Sequence, residues 1–368
     1  MKKTIALLLA AVLALGLLAG CKKDEGGKPV SSGGDLDLTP SLPVTDGDLD
    51  TSPSLPASDG DLSTPTDYSD VTLAVVVAGT FGDRSFYDSS KEGADKLVSD
   101  YGIGLKTIEC NNTDHTQQIR NAADAAQIVA LVGWEFYDVE TVAAEYPDVH
   151  FIWIDNATEK PVSNVLNITY AQNEGSFLAG YIAAKMSESG VVGAVGGEDS
   201  DTINDFIVGY TQGAEYANPD VKVETIYSNT YDDPAVGKEC ALTLSEKGAD
   251  VVFQIASKCG DGVFEAAKEK GFYAIGVDSD QKHIADDVII CSMMKEVGNS
   301  IYQAVSEHLT GDTSRWGTTW VADMATGFIK IGYGDETAKQ QVPDDLKNEV
   351  ADLAAKIIAG EITVNTAR

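Results

Sequence analysis

Residues 71–101 read VTLAVVVAGTFGDRSFYDSSKEGADKLVSDY and contain two periodicities in succession. Residues 71–78 form a continuous apolar run rich in β-branched side chains, which is typical of a strand covered on both faces. In residues 85–101, Ala94, Leu97, Val98 and Tyr101 are spaced i, i+3, i+4 and i+7, which puts them on one face of a helix. The stretch therefore predicts a buried strand followed by an amphipathic helix.

The same strand–helix unit recurs along the rest of the chain. Further strand-like runs are 104–109, 128–133, 149–155, 165–170, 191–196, 221–228, 250–256, 272–278 and 287–293, and helix-like stretches are 115–126, 137–145, 173–188, 203–217, 234–247, 261–270, 295–309 and 344–359. This alternation predicts an α/β protein with mainly parallel sheets flanked by helices, and about ten strands favour two sheets over one. Because parallel sheets bind ligands at the carboxyl ends of their strands, we expect a cleft between the two sheets that a hinge can close.

Residues 1–20 are expected to form a lipoprotein signal peptide. Lys2 and Lys3 precede an apolar run over residues 5–19, which is shorter than a membrane-spanning helix requires. The run ends in LAGC (18–21), which resembles the bacterial lipobox. We therefore expect Cys21 to carry acyl chains that hold the protein on a membrane. The alternative is an ordinary secretory signal followed by an unrelated cysteine.

Residues 21–69 are expected to begin at the lipidated Cys21 and continue as a disordered acidic tether. They contain a short repeat, DLDLTPSLPVTDG (35–47) followed by DLDTSPSLPASDG (48–60) and a truncated DLSTP (61–65). The repeat is too short for a solenoid unit and has almost no apolar side chains to bury. A random coil of roughly 48 residues has a mean reach of about 40 Å, enough to hold a domain clear of the membrane. The alternative is that the repeats themselves bind a structure such as the cell wall.

The charge and the motif content exclude several classes of function. Lys plus Arg is 26 and Asp plus Glu is 58, for a net charge of −32, so we expect a small neutral or cationic ligand and no nucleic acid. GxSxG, GxxxxGK[ST], HExxH and post-strand GxGxxG motifs are absent from the sequence, which favours a binding protein without cofactor or metal over an enzyme. Cys110, Cys240, Cys259 and Cys291 are too widely spaced for a zinc site; they are either buried thiols or two disulfides with three possible pairings.

Several segments of residues 71–368 resemble, in order, the motifs of the basic membrane protein family, also called PnrA-like, of nucleoside-binding lipoproteins. GTFGDRSFYDS (79–89) resembles the family's G-x-x-[DN]-D-x-S-F-N-x-S loop, NEGSFLAGY (173–181) its EEGSFLAGY helix and IGVDSDQ (275–281) its IGVDxDQ. Residues 229–238 and SMMK (292–295) are similar to its segments ending DPAxGK and TSMxK. The resemblance implies a two-lobed type I periplasmic-binding-protein fold with three hinge crossings. Residues 70–170 plus 292–322 would form the N-terminal lobe, and 171–291 plus 323–368 the C-terminal lobe.

The function implied by the resemblance is the capture of a purine nucleoside for an ABC importer. Such a protein would be an extracytoplasmic monomer, anchored by lipid to the outer face of the cytoplasmic membrane, with the transporter's permease subunits as partners. A sugar or signalling-molecule receptor of the same fold, and a surface adhesin lipoprotein, are the alternatives.

Four candidate ligand residues follow predicted strands. The resemblance implies that Phe86 stacks on the base, which contributes about 1–3 kcal/mol without reading the base edge; the alternative is a core side chain at the helix start. Asp83 either accepts hydrogen bonds from the base or caps the following helix. Asp278 ends an apolar run and can accept two adjacent ribose hydroxyls, while Lys295 can donate to ribose oxygens. The alternative for this pair is a salt bridge at the hinge.

Five further residues are weaker candidates. Trp134 and Phe136 follow the strand predicted at 128–133 and correspond to the family's GxGF…D stretch, which implies an aromatic wall for the base with Asp138 nearby. Phe206 is either a second aromatic face for the base or a core residue. Gly260 opens a helix whose backbone N–H groups can face the cleft.

Overall fold

The computed structural model describes residues 67–111 and 114–368, in which strands and helices alternate as the sequence predicts. The strands are β1 (Thr72–Val77), β2 (Gly104–Glu109), β3 (Ile128–Val132), β4 (His150–Ile154), β5 (Val165–Tyr170), β6 (Val191–Gly196), β7 (Lys222–Tyr227), β8 (Val251–Ile255), β9 (Tyr273–Asp278), β10 (Ile289–Lys295), β11 (Thr319–Ala322) and β12 (Ile329–Gly332). The helices are α1 (Phe86–Tyr101), α2 (His115–Ala123), α3 (Val139–Glu145), α4 (Gln172–Met186), α5 (Asp201–Ala217), α6 (Pro234–Glu246), α7 (Gly260–Lys270), α8 (Val297–Leu309) and α9 (Asp344–Ile358). The four-residue strands β11 and β12 are additional to the predicted runs.

The strands form two six-stranded sheets. The first has the order β11-β5-β4-β3-β1-β2 and is parallel throughout, and the second has the order β12-β10-β9-β8-β6-β7 and is parallel except at β12. Strands β3 and β8, which lie inside their sheets, are buried along their whole length because both of their faces are covered. The predicted fold class, two mainly parallel sheets flanked by helices, is therefore confirmed.

The chain passes between the sheets three times: after β5, after β10 and after β11. The change of lobe predicted at residue 292 falls inside β10, which pairs with β9 and β12 of the second sheet as far as Lys295. The change of sheet therefore follows Lys295, because the strand continues beyond Ser292. The other predicted limits, residues 170 and 322, coincide with the ends of β5 and β11; the division into lobes itself stays a prediction.

Helix α8, which follows the second passage between the sheets, packs directly against α1. A Cβ atom at Gly93 would lie 2.0 Å from the carbonyl oxygen of Gly298, so the two backbones touch where a larger residue could not fit. Ala94 and Leu97, two of the predicted face residues of α1, are fully buried. This packing fixes α1, whose first residue directly follows the loop at the carboxyl end of β1.

The N-terminal predictions fall largely outside the described residues. The signal peptide (1–20), Cys21 and the tether up to residue 66 all lie there. No helix in the described part of the chain is long and apolar enough to cross a membrane. Among the described residues, four buried cysteines form no disulfide with one another, and burial raises the pKa of their thiols: Cys110, Cys240, Cys259 and Cys291.

Candidate functional site

A cavity of about 560 Å³ lies at the carboxyl ends of strands from both sheets. The cavity is where parallel strands are expected to bind a ligand, because loops and helix starts from both sheets converge there. It is lined by Phe86, Tyr87, Gly133, Trp134, Glu135, Asp155, Thr202, Ile203, Phe206, Tyr231, Ile255, Ser257, Val277, Asp278 and Lys295.

Five of the nine predicted ligand residues line this cavity: Phe86, Trp134, Phe206, Asp278 and Lys295. They come from five different segments of the chain. Asp278 and Lys295 end β9 and β10, Trp134 follows β3, and the two phenylalanines lie in α1 and α5. The fold therefore brings together aromatic and charged side chains that are far apart in sequence: Phe86 and Lys295 are separated by more than 200 residues.

Lys295 is the only cation among the residues that line the cavity, and its partner is Asp155. The Nζ atom donates to both carboxylate oxygens of Asp155, at 2.6 and 2.7 Å, and both side chains are almost fully buried. The same Nζ lies 5.0 Å from the ring centre of Phe86 and 5.4 Å from that of Phe206. The sequence offered a salt bridge between Lys295 and Asp278 as the alternative to ligand binding. In the structure Lys295 forms its salt bridge with Asp155, which directly follows β4.

Asp278, at the end of β9, faces the same cavity with a different partner. The Ser85 hydroxyl donates to its Oδ2 at 2.6 Å. Burial raises the pKa of Asp278 to about 6, although the charge of Lys295 and the hydrogen bond from Ser85 lower it. Its backbone has φ of +63°, a left-handed conformation that is unusual for a residue other than glycine and is concentrated at binding sites.

Asp83 does not line the cavity, because its carboxylate is used at the start of α1. Its Oδ1 accepts from the backbone N–H groups of Ser85 and Asp88, and its Oδ2 from that of Tyr87. The Ser257 hydroxyl, in the loop after β8, also donates to Oδ2 at 2.9 Å. These contacts agree with the second role considered for Asp83, in which it caps the helix that follows. Through Ser257 the carboxylate also connects loops that follow strands of the two sheets.

Phe136, Asp138 and Gly260 also lie away from the cavity lining. Phe136 is fully buried in a core cluster of the first sheet, where its ring packs 5.2 Å from that of His115. Asp138 is exposed at the start of α3 and accepts a hydrogen bond from the Thr116 hydroxyl. A Cβ at Gly260 would lie 2.0 Å from the Gln254 side chain, so this glycine allows close packing rather than offering its backbone to the cavity.

Several cavity residues are not among those singled out from the sequence. Asp155 and Glu135 come soon after the ends of β4 and β3, just as Asp278 ends β9, so the rule that selected Asp278 could also have selected them. Tyr231 and Thr202 carry no comparable signal, because they lie in or after loops whose position depends on the packing of the second sheet.

Glu135 and Tyr231 line the cavity, and each has a buried polar atom. Glu135 Oε2 has no hydrogen-bond partner among the described residues, and the Tyr231 hydroxyl makes no hydrogen bond of normal geometry there, although Ser200 is close enough to lower the pKa of Tyr231. Burial raises the pKa of Glu135 to about 7, and the negative charges of Asp155 and Glu198 contribute to the increase. Buried polar atoms are nearly always paired in native proteins, so these two atoms are suited to a ligand.

The arrangement is suited to binding a flat, polar molecule. Aromatic side chains supply apolar surface, while carboxylates, one ammonium and the phenols of Tyr87 and Tyr231 can supply hydrogen bonds. The described residues contain no group of three or more His, Cys, Asp or Glu side chains that could hold a metal ion.

Comparison with known proteins agrees with this geometry. Residues 70–368 match the model of a family described as ABC transporter substrate-binding protein PnrA-like. Basic membrane protein A2 of Borrelia garinii subsp. bavariensis is 34% identical over 301 residues, which cover 79% of this chain and 87% of that protein. Basic membrane protein A of Borreliella burgdorferi is 33% identical over 298 residues, with the same coverage of 79% and 87%.

A solved structure extends the agreement to the whole fold. The crystal structure of an ABC transporter solute-binding protein from Aeropyrum pernix K1 has a TM-score of 0.72 and 25% sequence identity, and the match covers 80% of this chain and 93% of that one. The two-sheet architecture is thus that of type I periplasmic binding proteins, with the cavity at the carboxyl ends of the strands. The chain belongs to the PnrA-like family of ABC transporter substrate-binding proteins.

Proposed function

We propose that this protein captures a purine nucleoside in the cavity and delivers it to the permease subunits of an ABC importer. The observation that carries the proposal is that Phe86 and Phe206, from elements that follow strands of different sheets, line one cavity together with Asp278 and Lys295. Aromatic rings suit a flat base, and the charged pair suits a ribose. The family description and the motif resemblance support the same ligand class.

The ribose would bind at Asp278 and Lys295. A carboxylate oxygen of Asp278 can accept from adjacent 2′ and 3′ hydroxyls, since the described partner of this side chain is the single Ser85 hydroxyl at Oδ2. The ammonium of Lys295 has three N–H donors, and Asp155 engages it with its two oxygens. At least one N–H is therefore available for a ribose oxygen.

The charge of the cavity favours a nucleoside over a nucleotide. Its charged lining residues are Glu135, Asp155, Asp278 and Lys295, three carboxylates against one ammonium. A phosphate group would face this negative excess in a low-dielectric site, whereas a neutral nucleoside offers N–H and O–H donors to it.

Isothermal titration calorimetry would test the ligand class. The protein would be freed of bound ligand by unfolding and refolding and then titrated with inosine, guanosine, adenosine, uridine, ribose and galactose. We expect purine nucleosides to bind at least about a hundredfold more tightly than free ribose, because stacking on each ring contributes about 1–3 kcal/mol. Equal affinity for ribose and inosine would contradict the proposal and would favour the sugar receptor, for which Asp278 and Lys295 would also be suitable ligands. Failure of every ligand in the series would instead favour the surface adhesin.

We further propose that Cys21 anchors the protein to the outer face of the cytoplasmic membrane. The support is the order of charge, apolar run and small residues before Cys21. Cys21→Ala should move the protein from the membrane fraction to the soluble extracytoplasmic fraction. Mass spectrometry of the wild-type protein should find acyl chains on Cys21, and a mature N-terminus without them would contradict the anchor.

A further inference from the structure

We propose that Glu135 determines which purine base the cavity accepts, by pairing its carboxyl group with the hydrogen-bonding edge of the base. The inference rests on the proposed nucleoside ligand and assigns the base specificity to one residue of this chain. It is drawn from the position of Glu135 in the cavity and from the buried atom that it leaves without a partner among the described residues.

The carboxyl group of Glu135 lies against the loop that follows β3. Gly133 has φ of +135°, and a Cβ at that position would lie 2.3 Å from Glu135 Oε2. A side chain at residue 133 would therefore occupy the space of the carboxylate oxygen. The glycine permits both the turn at the end of β3 and this position of Glu135 in the lining of the cavity.

Among the described residues, the groups around Glu135 are acidic, phenolic or thiol groups, and no cation lowers its pKa. Six titratable groups affect the pKa of Glu135 or have their own pKa raised by it. Tyr137 belongs to the same loop, and the others come from five other segments: Tyr87, Cys110, Asp155, Glu198 and Tyr231. The nearby ammonium of Lys295 is already bound to Asp155. An incoming ligand therefore has to supply either hydrogen-bond donors to a carboxylate or an acceptor to a protonated carboxyl.

These two states of a carboxyl group match different purines. An ionised carboxylate accepts two parallel hydrogen bonds from N1–H and the 2-amino group of guanine, and one from N1–H of hypoxanthine. A protonated carboxyl donates to N1 of adenine and accepts from its 6-amino group. Recognition of a base by its Watson–Crick edge, with stacking on its faces, is a common arrangement in base-binding pockets.

If Glu135 contacts the base edge in this way, the base preference depends on whether its carboxyl group is protonated. Because burial raises the pKa of this carboxyl to about 7, both states are accessible around neutral pH. Above pH 7 we expect the order guanosine, inosine, adenosine in decreasing affinity. Below pH 7 the preference for guanosine over adenosine should fall by about tenfold or more, since a hydrogen bond to a charged group is lost and one to a neutral group is gained.

The test compares wild-type protein, Glu135→Gln and Glu198→Gln by calorimetry with guanosine, inosine and adenosine, well above and well below pH 7. The amide of Glu135→Gln keeps the shape of the side chain but cannot titrate, and it can pair with adenine as a protonated carboxyl does. We expect this variant to lose guanosine affinity by about tenfold to a hundredfold above pH 7, to retain adenosine, and to show no pH dependence of the ratio. Glu198→Gln is the matched control, because Glu198 raises the pKa of Glu135 but does not line the cavity. It should keep the selectivity and move its pH dependence slightly lower.

The outcomes separate this inference from the proposed function. If wild-type protein binds no nucleoside, the proposed function is wrong and the role of Glu135 falls with it. If nucleosides bind, but neither pH nor Glu135→Gln changes the ratio of guanosine to adenosine affinity, the proposed function stands and the inference about Glu135 is overturned.

Discussion

The ion pair between Lys295 and Asp155 allows a quantitative test of the cavity's electrostatics. Lys295→Met keeps most of the length and apolar contacts of the side chain but removes the ammonium. The two side chains are 2% and 6% exposed, so the substitution would leave the Asp155 carboxylate buried without its cation. Removing one partner of a buried ion pair costs about 3–5 kcal/mol. We expect the free energy of unfolding of the ligand-free protein to fall by about that amount.

A double variant shows whether Asp155 is the partner that matters. Asp155→Asn removes the charge that Lys295→Met leaves unpaired, so the two substitutions together should destabilise much less than their separate effects predict. We expect a coupling energy of about 2 kcal/mol or more from the double-mutant cycle. Asp278→Asn is the matched comparison, because Lys295 affects the pKa of Asp278 while Ser85 makes its hydrogen bond. Its coupling to Lys295 should be clearly smaller.

Urea unfolding of the ligand-free variants at neutral pH, followed by circular dichroism, measures these energies. Ligand has to be removed first, since a molecule bound to the folded state would add its own stabilisation. Two results would refute the reasoning: Lys295→Met unfolding at the wild-type urea concentration, or a coupling energy between Lys295 and Asp278 as large as that between Lys295 and Asp155.

Three further predictions concern stacking, burial of charge and the tether. Phe86→Ala should lower the affinity for all purine nucleosides by about tenfold to a hundredfold in calorimetry, with little loss of stability. Phe136→Ala should instead lower the free energy of unfolding by about 3–5 kcal/mol and leave the affinity of the folded protein unchanged. The reverse pattern would show that Phe136, and not Phe86, contacts the ligand. Burial raises the pKa of Asp278 from its usual 3.8 to about 6, so the folded protein loses stability as pH rises through that interval. Asp278→Asn cannot ionise and should therefore be more stable than wild type at neutral pH, by up to about 3 kcal/mol in urea unfolding. The same variant should lose about a hundredfold or more in ribonucleoside affinity. A variant less stable than wild type at neutral pH would contradict the role of buried charge. Deletion of residues 22–66 should leave calorimetric affinity unchanged, and a large loss of affinity would show that the repeats belong to the binding domain.

The longer strands and helices could be predicted because the spacing of their apolar residues is a local pattern in the sequence. The run in residues 71–78 and the spacing of Ala94 and Leu97 correspond to β1 and the buried face of α1. Strands β11 and β12 escaped prediction because four residues are too few to establish a periodicity. The end of β10 at Lys295, three residues beyond the predicted lobe boundary, has a related reason: a pattern shows that a strand is present more reliably than it shows where the strand ends.

Part of the cavity followed from the same local patterns. Asp278 and Lys295 end apolar runs, and in parallel sheets the carboxyl ends of strands meet at one edge, so their presence in the cavity could be expected. Phe86 was implied by the resemblance to the family's first ligand loop, and it begins the helix beside the same edge. These residues share a position relative to a strand, which a sequence displays directly.

The partners of the charged groups were decided by long-range packing. Lys295 bonds to Asp155, 140 residues away, because the ends of β4 and β10 face each other across the two sheets. Asp83 turns away from the cavity because three backbone N–H groups at the start of α1 and the Ser257 hydroxyl use its carboxylate. Burial and pairing depend on which surfaces meet in three dimensions, whereas periodicity reports only on neighbours along the chain. The amino-acid pattern therefore predicted the sheets and the edge at which the cavity lies, and tertiary packing decided which groups line that cavity.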